Sequence, residues 1–336
     1  MTHFHQEYTQ KLLNRNYISE SQYHQIETFR AKPFFSIRHE TLLLLYTAIM
    51  LFTSGVGLLI YENIDTIGHS ILLVGLFLIT SVGFYFSFKK APKYSPLHTE
   101  FENPVYEYLV LGSFLLCCIF IGYWQFQYHF LGNSYKFATL LPTIVGFGCA
   151  YYFDHKGILS IAISGLTAFI GLQISITNIF HFDFFNNLQL YHYGIILSFA
   201  LVFWSLFADL KNIKSHFSIV FQTFALHLVF WCSIGGLCSE VFGYFVIIPI
   251  VSGFYFYNKS YNSNSIMMYI FTVIYTYICF NIIFIRLVDI FNIQSDLFQL
   301  FIIITPFYIM GSIALFLYGI RNFNKNIKKN HENIPN

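Results

Sequence analysis

Ten apolar runs govern what this chain can fold into. The first reads from Thr41 through Gly55-Val56-Gly57 to Tyr61, turns at Glu62-Asn63-Ile64-Asp65, and is answered by Ile67 to Phe88. Each run holds about 20 residues, enough at 1.5 Å per residue to cross a hydrocarbon core of roughly 30 Å. The same grammar recurs at about 106–125, 136–153, 158–178, 191–208, 217–237, 241–257, 266–285 and 298–320. In lipid the backbone must satisfy its own hydrogen bonds, and runs of this length do so as helices. The expectation is an all-α, polytopic integral membrane protein with ten transmembrane helices. The 217–257 stretch is read as two spans, because Gly235-Gly236 supplies a break and one helix would be far too long.

Composition supports lipid as the solvent. Charged residues are 10% of the chain and hydrophobic ones 56%, against about 25% charged in soluble domains. No basic face or motif supports nucleic-acid binding. The six cysteines lie mostly inside apolar runs, without Cys-x-x-Cys or zinc-like spacing, and read as small packing residues.

Threading follows from the cations. With the N-terminus in the cytoplasm, 16 of the 18 Lys and Arg fall on cytoplasmic segments, and only Lys136 and Arg286 fall outside. This agrees with the positive-inside rule for an even number of spans with both termini inside. The expected layout is a cytoplasmic helical hairpin at 1–40, a transmembrane domain at 41–320 and a basic cytoplasmic tail at 321–336. About 40 polar residues precede the first run, unlike a secretory signal. Within this preface, Ser19-Glu20-Ser21-Gln22 has the form of a capping box. Tyr23, Ile26 and Phe29 follow at helical spacing, and Pro33 stops the helix. Arg30, Lys32 and Arg38 precede the first span, where anionic lipid attracts them.

The preface and first span carry a resemblance. Leu12-Leu13-Asn14-Arg15-Asn16-Tyr17-Ile18-Ser19-Glu20-Ser21-Gln22 resembles the N-terminal helix hairpin of a bacterial membrane family. So does Gly55-Val56-Gly57-Leu58-Leu59-Ile60 followed by Glu62-Asn63-Ile64. The family is the predicted membrane proteins called domain of unknown function 2157, and the similarity covers about residues 7–90. The family's usual Asn-Trp pair after the first span is here Asn63-Ile64. The resemblance implies a polytopic inner-membrane protein with a cytoplasmic helical preface, and no established activity or catalytic residue.

Three constellations are candidates for chemistry. The first is a midplane polar site: His227 in span 7, Thr223 one turn earlier beside Gln222, Gln173 in span 5 and Asn281 in span 9. Pro249, taken as mid-span 8, would free the carbonyl of Phe245. Intramembrane polar groups mark either a site or inter-helix hydrogen bonds of about 0.6 kcal/mol each. The second is an outer cluster of Glu62, Asp65, His69, His129, His181, Asp183 and Glu240, readable as metal ligands or as a wet acidic surface. The third is Arg286, which either pairs with Asp289 one turn on or meets Glu240 and receives an anionic substrate. Ser164, Ala168, Gly171 and Ser175 read as a close-packing stripe on span 5. No hydrolase or nucleotide-loop motif is present, so neither a cofactor nor a metal is expected. The leading expectation is a non-enzymatic scaffold or sensor, with membrane lipids and a cytosolic protein on residues 1–40 as partners. The alternative is a small-molecule transporter using Gln173, Thr223, His227, Asn281, Arg286 and Glu240.

Overall fold

A computed structural model describes residues 12–13, 17–31, 38–63, 68–131, 136–175, 188–290 and 296–332. Several side chains at helix ends, Gln173 among them, lie outside that description. The described residues are helices joined by turns, with no strand among them. The helices are α1 (Glu20–Ala31), α2 (Arg38–Asn63), α3 (His69–Lys90), α4 (Pro104–Tyr128), α5 (Lys136–Phe153) and α6 (Lys156–Ser175). They continue as α7 (Leu188–Lys211), α8 (Ser218–Cys238), α9 (Ile247–Asn262), α10 (Ile266–Ile290) and α11 (Asp296–Glu332). The chain divides into two compact units, Met1–Gly55 and Val56–Asn336.

Each of the ten apolar runs contains a helix among the described residues. Seven of these helices (α2, α3, α4, α7, α8, α10 and α11) are long and apolar enough to cross a membrane. The apolar stretches of α5 and α6, Phe137–Phe153 and Lys156–Gly171, are shorter, and α9 has 16 residues, below the usual 20. For α9 the reason is local. Residues 242–245 form a separate 3-10 turn, so the helix starts six residues later than the run does.

In the first unit the capping box is formed. Ser19 N donates to Gln22 Oε1 at 2.9 Å, and Gln22 N donates back to Ser19 Oγ at 3.3 Å. Two otherwise orphaned donors are thereby satisfied at the head of α1. The first helix of the predicted hairpin lies largely outside the described residues.

In the second unit α8 is the central strut, carrying the largest buried share of any candidate span. Phe221, Ala225, Leu226, Val229 and Phe230 are buried along it. It packs on α7, α9 and α10. Gly235-Gly236 does not break the chain as the sequence reading held: α8 runs on to Cys238. The two glycines instead admit rings, since a Cβ on Gly235 would lie 2.4 Å from Tyr191 and one on Gly236 2.2 Å from Phe245. The break comes at Ser239, whose backbone turns extended.

Two other local expectations are corrected. Ser164 and Ala168 face outward on α6. The tight approach of α5 to α6 uses Gly165, where a Cβ would lie 2.3 Å from Thr143 Oγ1. Pro249 occupies the first turn of α9, where its missing N–H has no helical acceptor to lose. The prolines inside helices are Pro142 and Pro306. At the far end of the chain α11 is held at its foot. Phe323 is fully buried, its ring 4.6 Å from Tyr261 and 4.5 Å from Tyr269.

Candidate functional site

The main polar centre forms where three connections meet. The 91–103 segment follows α3, Asp154-His155 joins α5 to α6, and Asn212–Phe217 joins α7 to α8. Asp154 and Lys214 both take left-handed backbone, φ 59° and φ 49°, which turns their side chains inward from very short connections. Neither side chain is exposed at all, and Lys214 Nζ lies 2.9 Å from Asp154 Oδ2. A charge pair removed from water in this way holds only if its remaining donors and acceptors are satisfied.

They are satisfied here. Lys214 Nζ also donates to Leu97 O at 3.1 Å and Thr99 Oγ1 at 3.4 Å, and the Tyr94 ring centroid lies 5.7 Å from it. Thr99 N donates to Asp154 Oδ2 at 2.7 Å and its hydroxyl to the same oxygen at 3.3 Å. His216 Nε2 donates to the other oxygen, Asp154 Oδ1. The Lys214 backbone N–H reaches Pro96 O at 2.7 Å. Burial alone would raise the Asp154 carboxyl. The bonds from Lys214, the Thr99 amide and His216 outweigh it and hold Asp154 below the usual carboxylate value. Burial keeps His216 below the ordinary imidazole value, although Asp154 pulls the other way. Beside them His155 is buried, and its Nδ1 accepts the Ile158 N–H at 3.2 Å, capping α6. Burial pushes its pKa down to about 4, so the ring stays neutral and available as an acceptor.

A second strip joins α7, α8 and α9. Lys259 Nζ lies 3.5 Å from Asp209 Oδ2, which accepts from Ser218 Oγ at 2.8 Å. Ser218 Oγ meets Ser205 Oγ at 2.7 Å. Gln222 Nε2 donates to Ser205 Oγ at 3.1 Å and its Oε1 accepts from Tyr255 OH at 3.2 Å. Gln222 and Ser205 are fully buried.

The residues proposed from sequence do not assemble into one site. His227 Nδ1 bonds Tyr275 OH at 2.9 Å, linking α8 to α10. Thr223 returns its hydroxyl to Ile219 O on its own helix at 2.7 Å. Asn281 accepts from Tyr308 OH at 3.0 Å and donates to Tyr277 O at 2.7 Å, linking α10 to α11. Gln173 belongs to α6, and its side chain is outside the described residues. Arg286 donates to the carbonyls of Cys238 and Ser239 at the end of α8 and lies 5.8 Å from the Phe242 ring. It thus neutralises the negative end of α8 rather than pairing with Asp289 or Glu240. Of the outer cluster, His69 Nδ1 bonds Tyr123 OH at 2.9 Å, and His129 caps α4 in left-handed conformation. Asp65, His181 and Asp183 lie outside the described residues. Among the described residues no three His, Cys, Asp or Glu side chains are grouped to hold a metal ion.

Asp154 and His216 were missed by the sequence reading, which counted Lys214 only as one inner cation. The detectable signal was an acid in a two-residue turn between apolar runs, with no room to reach water alone.

Residues 10–159 match the sequence model of DUF2157, a family described as predicted membrane protein. The match covers under half of the 336 residues and runs past the 7–90 stretch that carries the resemblance. The matched portion supplies Asp154 and the 91–103 connection, and the rest of the chain supplies Lys214 and His216. No curated protein and no solved structure matches the chain.

Proposed function

We propose that this multi-pass membrane protein is a non-enzymatic scaffold of the inner membrane, with both termini in the cytoplasm and α1 as its docking element for a cytosolic partner. The carrying observation is closure. Among the described residues the one buried side-chain polar atom without a partner is Thr80 Oγ1. A transporter needs an accessible polar path, and a buried enzyme site needs a reachable acid or base. Here Lys214 and Asp154 are sealed, and His227 and Asn281 bridge separate helix pairs.

Orientation is argued from the cations. Lys93 and Lys214 lie on the connections that meet at the Asp154 centre, and Lys89, Lys156 and Lys211 lie in the helix ends beside them, as the positive-inside rule requires of a cytoplasmic end. The capped α1 is too short to be stable alone in water, so it gains its structure from what it packs on. Reporter fusions at Asp183 and Lys211 should report opposite compartments. Pull-down of the full chain should recover a cytosolic partner that deletion of residues 1–36 loses. Unchanged recovery after deletion removes the scaffold reading, and matching reporters remove the threading.

A further inference from the structure

Two imidazoles stand between the buried centre and solvent. The His98 ring lies 4.6 Å from the His216 ring, centroid to centroid. The His216 side chain is 18% exposed and that of His98 47%. His98 rides on the 91–103 connection, and His216 on the turn that leads into α8. Behind His216 lie Asp154, which accepts its Nε2–H, and Lys214 on the same carboxylate, with Lys156 of α6 within electrostatic reach. Facing His98 are Glu100, at 3.8 Å, and Glu107 of α4.

The 91–103 connection has no helix of its own. Its polar seat is a short set of bonds: Pro96 O from the Lys214 amide, Leu97 O from the Lys214 ammonium, and the Thr99 amide to Asp154. All depend on Asp154, which His216 touches, or on Lys214, two residues before it.

We infer that the His98–His216 pair is an acid-sensitive latch that seats the 91–103 connection when both rings are neutral and lifts it when both are protonated. A proton on each ring sets His216 against His98, Lys214 and Lys156, with Asp154 as the opposing acid. Repulsion between charges this close is strong where water is partly excluded. A charged His216 also competes with Lys214 for the carboxylate, loosening the ammonium that holds Leu97 O. The Phe101 ring, stacked 6.2 Å from Phe153, limits the motion to residues ahead of it. Burial holds His216 below the ordinary imidazole value, so the latch responds on the acid side of neutrality. It stands independently of the scaffold reading, because it needs no partner.

Hydrogen–deuterium exchange of the full chain in lipid nanodiscs tests it, at pH 7.5 and pH 5.5 with intrinsic exchange rates corrected. At the lower pH the Thr99 and Lys214 amides should lose protection about tenfold beyond any loss in the α8 core amides, the change that one pKa unit of linkage yields. In His98→Gln, at a half-exposed position, that excess loss should vanish. It should vanish too in His216→Gln, which keeps a donor for Asp154; if that variant does not fold, His98→Gln decides. Equal protection of the wild-type amides at both pH values overturns the inference. So does a loss that persists in full in His98→Gln, or one no larger than that of the core amides of α8, which would report general unfolding.

Discussion

Lys214 and Asp154 form a 2.9 Å ion pair with neither side chain exposed. The pair closes the end of the bundle where three short connections converge. Removing one member leaves the other charge buried without a counterion, at a cost of about 3–5 kcal/mol. Lys214→Met alone should therefore lower thermal stability sharply in detergent at pH 7.5. Adding Asp154→Asn, whose amide tolerates left-handed backbone, should recover most of the loss. Equal stability of Lys214→Met and wild type would mean the pair is idle.

His155 makes stability pH-dependent. Its folded pKa is about 4 against 6.5 for the free side chain, so the unfolded state binds the proton first as pH falls. Its stabilising contribution is complete above the unfolded value and disappears progressively between about 6.5 and 4, by up to about 3 kcal/mol. Asp154 adds a second loss at lower pH. Its depressed folded pKa stabilises above the unfolded carboxylate value, and this is lost as pH falls through the folded one. Melting curves from pH 8 to 4 should slope for wild type and flatten over the upper part for His155→Asn, since Asn caps a helix without titrating.

Gly236 leaves room for one ring. A methyl there would lie 2.2 Å from Phe245 Cδ1, and Phe245 is itself buried. Gly236→Ala should cost about 1–3 kcal/mol by overpacking, read as a drop in melting temperature. Gly171→Ala, with nothing within 4 Å of its added carbon, is the control and should be nearly silent.

The His227–Tyr275 bond is a bridge between α8 and α10. Tyr275→Phe should cost about 0.6 kcal/mol, and a double-mutant cycle with His227→Phe should return a coupling of that size. A coupling near zero would leave His227 free for another partner and reopen the midplane site.

The apolar runs were legible because lipid imposes length and hydrophobicity on every crossing. Their ends were less so: the Phe242–Phe245 turn is as apolar as the helix it precedes, and Gly235-Gly236 reads as a break while serving as a slot for rings. Charge counting grouped the cations of that end but missed its centre. It treats each lysine alone, whereas Lys214 gains its meaning from Thr99 and Asp154, 115 and 60 residues away. Arg286 was likewise read for its nearest acids, when the open carbonyls of a helix end from 47 residues earlier received it. Sequence spacing reveals partners on one helix turn, and these partners belong to different connections and helices.

The 60-residue gap between Asp154 and Lys214 also imposes a delay during synthesis. At 5–20 residues per second the ribosome needs roughly 3–12 s to deliver the lysine after the aspartate. Through that interval the nascent chain holds an acid that nothing yet neutralises, so α5 and α6 stay uncommitted to their final seating until α7 has been made. The last turn before α8 is thus the moment at which the earlier helices become locked.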